Sequence, residues 1–293
     1  MAGLVRMLLR LIAGLPRPVA QAAGSFIGRM SYLVDNRSAK VTRANLSLCF
    51  PGEDTETLVK RSLIETGRTM METPAVWLGD LGRVDGWISE VRGEALLREA
   101  IAEDRGLLIL LPHTGNWELF NVFYRRYGVM TALYHPPRQA FMKAVMAEVR
   151  ARHGNTMVPT TRSGLKQLFR TLTSGGTVVV LPDQVPASGD YVPFFGVDAL
   201  TDPLGVRLCE KTGARVLGMA ILRNDNGQFT VHILAPDESL YAGGREGLVA
   251  INTMVETCAR LSLPQYQWEY KRFRERPAGE QKIYRFGRAP ARH

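Results

Sequence analysis

Two short runs in this chain are apolar on both sides of a strand, and they constrain its fold more than any other feature. Gly106-Leu107-Leu108-Ile109-Leu110-Leu111 and Gly176-Thr177-Val178-Val179-Val180-Leu181 have strand length, and each is entered through a glycine. A strand with one wet face alternates polar with apolar residues, whereas a run like these must be covered on both faces. A third run covers residues 214–222, and residues 129–134 are also strand-like. Helical patterns occupy 119–127, 140–152 and 163–172, between the strands. Asp225-Asn226-Gly227 then forms a hairpin turn into Phe229–Leu234. Strands alternating with helices give an α/β fold: a mixed central sheet covered by helices on both faces.

The first third reads as helices. One pattern begins at Ser38 and stops near Phe50-Pro51-Gly52; Asp54 caps the next, which carries Leu58, Leu63, Ile64, Met70 and Met71. Residues 1–34 are set apart as a helical, membrane-associated annex, and 35–293 as one domain, because no repeat, low-complexity tract or Gly/Ser linker divides the remainder. Within the annex Leu4, Leu8, Leu11 and Leu15 share a helical face opposite Arg6 and Arg10, and Pro16 and Pro18 interrupt the helix. No uncharged apolar run approaches the roughly 18–20 residues of a spanning helix. The pattern suits a helix lying in a bilayer interface and equally one packed on the protein's own core. A cleaved signal peptide fits poorly, since Arg10 breaks the apolar stretch and no A-x-A site closes it.

Charge narrows the partners. Lys and Arg number 37 against 28 Asp and Glu, a net charge of +9, which favours a bilayer surface, nucleic acid, an acidic protein or a phosphorylated substrate. Nucleic-acid binding is the weaker of these, because the basic residues are scattered and match no RNA-binding module. Cys49, Cys209 and Cys258 are widely spaced without a C-x-x-C pair, which speaks against a disulfide framework and for a reducing compartment.

Chemistry is expected at Leu111-Pro112-His113-Thr114-Gly115-Asn116-Trp117-Glu118, which comes directly after the first buried strand; ligands of open α/β sheets gather at the carboxyl ends of strands. His113 and Glu118 would lie about 140° apart on one continuous helix. They meet only if His113 sits on a turn that Gly115 permits, with Asn116 capping the helix that carries Glu118. Glu118 would then hold one imidazole nitrogen, leaving the other as a general base. Asp183, at the end of the second strong strand, faces the same crevice or caps its own turn. Arg150, Arg152 and Arg162 are candidates to neutralise a phosphate or an oxyanion, and Phe194 and Phe195 to line a hydrocarbon slot or to be plain core. There is no G-x-S-x-G elbow and no nucleotide loop. There is also no H-E-x-x-H, and His135, His153, His232 and His293 lack ligand spacing, so neither a metal nor a cofactor is expected. A base without its own nucleophile suits direct transfer of a group to a hydroxyl.

Several segments together resemble the late acyltransferases of lipid A biosynthesis, relatives of the glycerolipid acyltransferases. They are Ala44–Pro51, His113–Glu118, Pro182-Asp183-Gln184, Pro193-Phe194-Phe195-Gly196, Gln265–Trp268 and Arg272–Pro277. The resemblance implies that His113 and Glu118 form a catalytic pair, with Arg152 and Asp183 assisting. It further implies an acyl carrier protein thioester as donor, a lipid A precursor as acceptor, no nucleic acid partner, and work at the cytoplasmic face of a bacterial inner membrane. Acylation of another membrane glycolipid or a lysophospholipid is the alternative within enzymes. Such proteins usually open with a convincing membrane span, and here Arg10 and Pro16 interrupt it.

Overall fold

The apolar runs form the centre of the sheet. A computed structural model describes residues 2–103, 105–134 and 140–286. Helices α1 (Ala2–Gly14), α2 (Arg17–Leu33), α3 (Arg37–Cys49), α4 (Glu56–Leu78) and α5 (Leu81–Asp85) come first. Strand β1 (Ile88–Arg92), α6 (Glu94–Ala102), β2 (Leu107–Leu110), α7 (Phe120–Phe123), β3 (Met130–Tyr134), α8 (Ala140–His153), β4 (Thr156–Pro159) and α9 (Arg162–Thr173) come next. The chain then runs through β5 (Thr177–Val180), β6 (Asp190–Phe194), β7 (Val197–Thr201), α10 (Leu204–Thr212), β8 (Arg215–Arg223), β9 (Phe229–Leu234) and α11 (Gly244–Arg260).

Seven strands pair in the order β1-β9-β8-β2-β5-β3-β4. All neighbours are parallel except β8 and β9, which the Asn226-Gly227 turn joins as an antiparallel hairpin. The sheet is therefore mixed, with helices on both faces. Alternation along β2 divides its side chains between two cores. Leu107, Ile109 and Leu111 enter one with Phe120, Phe123 and Val179, while Leu108 and Leu110 enter the other with Leu168, Val178 and Ile251. Each fully buried leucine contributes about 1.5–3 kcal/mol through the area it removes from water. Strand β1 leaves no mark in the sequence because it is an edge strand whose middle residues are exposed, so it has no apolar run. The helix expected over 119–127 is broken into one α-helical turn, α7, between two short 3-10 turns.

The N-terminal helices are bound to the rest by glycine. A methyl group at Gly24 would stand 2.4 Å from the Gly67 carbonyl oxygen, and one at Gly28 only 2.2 Å from that of Leu63. With no side chains between them, α2 and α4 pack at backbone contact. The outer faces stay apolar: Leu4, Met7, Leu8 and Leu11 of α1 and Phe26, Met30 and Leu33 of α2 are exposed. Arg6 and Arg10, also exposed, lie off that face and pair with Glu148 of α8 at 2.6 and 2.9 Å. Among the described residues no helix is long and apolar enough to cross a membrane.

Candidate active site

Register brings the site together. Leu110 of β2 pairs with Val180 of β5, so His113 and Asp183, each three residues beyond, emerge side by side from the carboxyl end of the sheet. Asp183 is buried and accepts twice from one residue: the His113 backbone N–H reaches Oδ2 at 2.8 Å, and Nδ1 of the ring lies 2.7 Å from Oδ1. Burial by itself pushes the Asp183 carboxyl up, but the His113 charge and these two hydrogen bonds hold it below the usual carboxylate range. An ionised carboxylate only accepts, so the proton of the neutral imidazole belongs on Nδ1, and Nε2 carries the lone pair. Nε2 is met by the Gln184 side-chain amide at 3.1 Å. Gln184 is exposed and can give way to a hydroxyl.

The turn that presents His113 depends on Gly115, which has φ +60° and no room for a side chain: a Cβ there would lie 2.0 Å from the Ile221 carbonyl oxygen. Its N–H donates to the Gln265 carbonyl at 2.8 Å, the Asn116 N–H donates to Ile221 at 2.9 Å, and the Gln267 N–H donates to the His113 carbonyl at 3.0 Å. The turn is thus wedged between β8 and the segment after α11. Gly115→Ala is expected to lower the unfolding free energy by roughly 2–4 kcal/mol through backbone strain and this clash. Denaturant unfolding checks it; a change below about 0.5 kcal/mol would mean the turn relaxes freely.

Glu118 does not hold an imidazole nitrogen, because Asp183 and Gln184 occupy both. The 3-10 turn Trp117–Leu119 carries Glu118 away behind the Trp117 ring, which packs edge-on to His113 with centroids 4.9 Å apart. There Glu118 joins the wall of an apolar cavity lined chiefly by Trp77, Phe120, Met130, Met146, Met157 and Leu181. Loss of water raises its carboxyl above the ordinary value, against the pull of the Trp77 side chain and of the His113 charge. On the other side of Trp117 a second cavity is lined by Thr66, Met70, Gly115, Gln267 and Glu269. Glu269, for which the sequence suggests no role, is also raised by burial and lies within the field of His113.

The remaining candidates lie apart from the imidazole. Asn116 forms no side-chain cap; it is fully buried and its Nδ2 donates to Glu72 at 3.0 Å, because Gly115 turns the chain before the helix begins. Arg152 donates to the Leu78 and Gly79 carbonyls at the end of α4. Arg162 is exposed in the first turn of α9. The Arg150 side chain, and all of His135 and His293, lie outside the described residues. Phe194 and Phe195 belong to a closed aromatic core with Phe50, Tyr266, Trp268 and Phe273. The reason is the two-residue hairpin Phe195-Gly196, with φ of +48° and +77°, which folds both rings beneath the β6–β7 ribbon and away from the apolar cavity.

A family model for the bacterial lipid A biosynthesis acyltransferases matches residues 1–275. The chain belongs to this family, and it is an acyltransferase. Among relatives of this lipid A acyltransferase, the lipid A biosynthesis lauroyltransferase of Escherichia coli (strain K12) is 28% identical over 282 residues, covering 92% of this chain and 90% of that protein. The palmitoleoyltransferase of the same organism is 27% identical over 277 residues, with the same coverage. A phosphatidylinositol mannoside acyltransferase of Mycolicibacterium smegmatis is 27% identical over 214 residues, 70% of this chain and 69% of that one. Among solved structures, the 1-acyl-sn-glycerophosphate acyltransferase PlsC of Thermotoga maritima aligns with a TM-score of 0.37 and 15% identity, covering 84% of this chain and 95% of that chain.

Proposed function

We propose that the protein moves a fatty acyl chain from an acyl carrier protein thioester to a hydroxyl of a lipid A precursor, with His113 as general base. The observation that carries this reading is the 2.7 Å contact between His113 Nδ1 and the Asp183 carboxylate, which places the ring proton on Nδ1 and leaves Nε2 as a proton acceptor, with an apolar cavity on the far side of Trp117. The acceptor hydroxyl takes the place of the Gln184 amide at Nε2. Its proton passes to Nε2 as its oxygen bonds to the thioester carbonyl carbon, and the tetrahedral intermediate then expels the thiolate. The C–S bond breaks, the imidazolium returns the proton to sulfur, and ester and free thiol are released. The acyl chain lies in the cavity behind Trp117. Glu118, on its wall, favours the imidazolium by its charge without touching the ring.

The exposed apolar faces of α1 and α2 support docking on a bilayer, in the manner of interfacial helices. A groove lined by Phe26, Ile27, Met30, Val34 and Met70 leads inward from them. It shares Thr66 and Met70 with the cavity beside Gly115, so a lipid acceptor reaches His113 from the bilayer side. The acidic carrier protein and the phosphorylated lipid both suit a chain of net charge +9 at the cytoplasmic face of the inner membrane.

The test combines purified protein, acyl carrier protein thioesters of several lengths and a lipid A precursor, read by mass spectrometry. One added acyl group on the precursor is the expected product. Acylation of a lysophospholipid or another glycolipid alone would reassign the acceptor, and no transfer from any carrier thioester would reject the donor. In this mechanism Glu118 acts as an anion, and burial raises its carboxyl. Part of the loss of turnover as pH drops is therefore expected to come from protonation of Glu118. Glu118→Gln should flatten that limb of the profile; an unchanged limb would remove Glu118 from the proton count.

A further inference from the structure

Beneath the His113 turn lies a buried Glu72–Arg223 ion pair, whose arginine also pairs with Glu65 and donates to Thr69, and it takes no part in the proposed acyl transfer. Glu72 of α4 is wholly buried, and Arg223, at the end of β8, is 6% exposed. Arg223 Nε donates to Glu72 Oε1 at 2.8 Å, and Nη2 to Oε2. Gln21 of α2 donates to Oε1 at 2.8 Å. The remaining acceptor site of Oε2 is filled by Asn116 Nδ2 at 3.0 Å. Asn116 is fully buried and its Oδ1 has no partner among the described residues, where Glu72 is its one side-chain anchor.

We propose that Glu72 is a positioning residue, which through Asn116 fixes the turn carrying His113. This rests on the reading of His113 as the base. Three observations converge on it. A buried Glu–Arg pair is a poor source of stability, since apolar residues of like volume commonly replace one at no loss, so its placement calls for another reason. The same Arg223 exchanges two hydrogen bonds with Gln265, its N–H donating to Oε1 and its carbonyl accepting from Nε2, both at 2.8 Å; the Gln265 carbonyl in turn holds Gly115 N–H. Thr69, one turn before Glu72 on α4, donates to the Gly115 carbonyl at 3.2 Å. Helix α4, strand β8 and the segment after α11 thus all reach Gly115 or Asn116, and Glu72–Arg223 locks the first two together. A turn released from Glu72 would let the imidazole swing from Asp183 by a fraction of an ångström or more, and misplacement of about 1 Å costs on the order of 100-fold in rate.

Two double variants of the full-length chain isolate the link. Glu72→Met/Arg223→Met removes both charges and the acceptor for Asn116; Glu72→Gln/Arg223→Met removes both charges but keeps an acceptor. The Met/Met variant is expected to lose about 10- to 100-fold in kcat, with KM for the acyl carrier protein thioester within about twofold. In 15N-histidine-labelled protein it should also lose the downfield His113 Nδ1–H proton resonance. The Gln/Met variant should stay within about threefold in kcat and keep that resonance. Equal behaviour of the two, whether both active or both impaired, would overturn the assignment. Should the Met/Met variant not fold, Asn116→Ala leaves the ion pair intact and must show the same loss of kcat and resonance; wild-type values there would overturn it equally. The resonance is read without substrate, so it tests the positioning even if the acyl acceptor proves to be another lipid.

Discussion

His113→Ala is expected to lower turnover by about 10²–10⁴-fold, the range that a positioned general base supplies. Neither neighbouring carboxylate used in the site can take over. Asp183 is committed to Nδ1–H and the His113 backbone N–H, and Glu118 is turned behind Trp117 into the apolar cavity. The loss should fall on kcat, because the apolar wall proposed to bind the acyl chain does not include the imidazole. The fold should survive: His113 is held through its backbone, whose carbonyl and N–H both keep their partners in the variant. Single-turnover transfer from an acyl carrier protein thioester, with the melting temperature measured alongside, gives the answer. A folded variant within about threefold of the wild type would end the case for His113 as the base.

Asp183→Asn is the second large effect, and it separates orientation from charge. The carboxylate accepts from the backbone N–H with one oxygen and from Nδ1–H with the other. A carboxamide has only one oxygen. If it faces the backbone, its NH2 group confronts Nδ1 and forces the ring proton to Nε2, where the base is needed. If it faces the ring, the backbone N–H of the turn meets a donor. Either arrangement should lower kcat by about 10²–10⁴-fold, as removal of the orienting carboxylate does in serine-protease triads. The Nδ1–H proton resonance should shift or vanish even where the circular dichroism spectrum is unchanged. Full activity in this variant would show that the His113–Asp183 contact is a cap on the turn and nothing more.

The imidazole's partner is within reach of the sequence, although local spacing points to Glu118 instead. Ile109-Leu110-Leu111-Pro112-His113 and Val179-Val180-Leu181-Pro182-Asp183 share one form, a buried strand followed by Leu-Pro and a polar residue. If β2 and β5 are neighbours in register, the two polar residues must meet. Nothing local states that they are neighbours, since β3, β4 and their helices intervene along the chain. Spacing favours Glu118 because five residues fit a turn and a helix start; the 3-10 geometry after Gly115 sends that side chain elsewhere. Phe194-Phe195-Gly196 stays open between slot and core in the sequence for a related reason. An aromatic pair beside a glycine looks the same in a slot as in a hairpin, and only the β6–β7 register decides between them.

The sheet's central strands, most of the helices, the position of His113 just past a strand end and the family were all legible in the sequence. All of these come from patterns a few residues long: apolar runs, helical spacing, turn glycines and contiguous motifs. The tertiary structure alone decided which carboxylate holds His113, which cavity adjoins it, and that Glu72, Arg223 and Glu269 stand around it. Those pairings join residues from 44 to more than 150 positions apart in the chain. Such contacts are set by strand order and by helix packing at glycine, both products of burying two apolar faces at once, and no short-range preference encodes them.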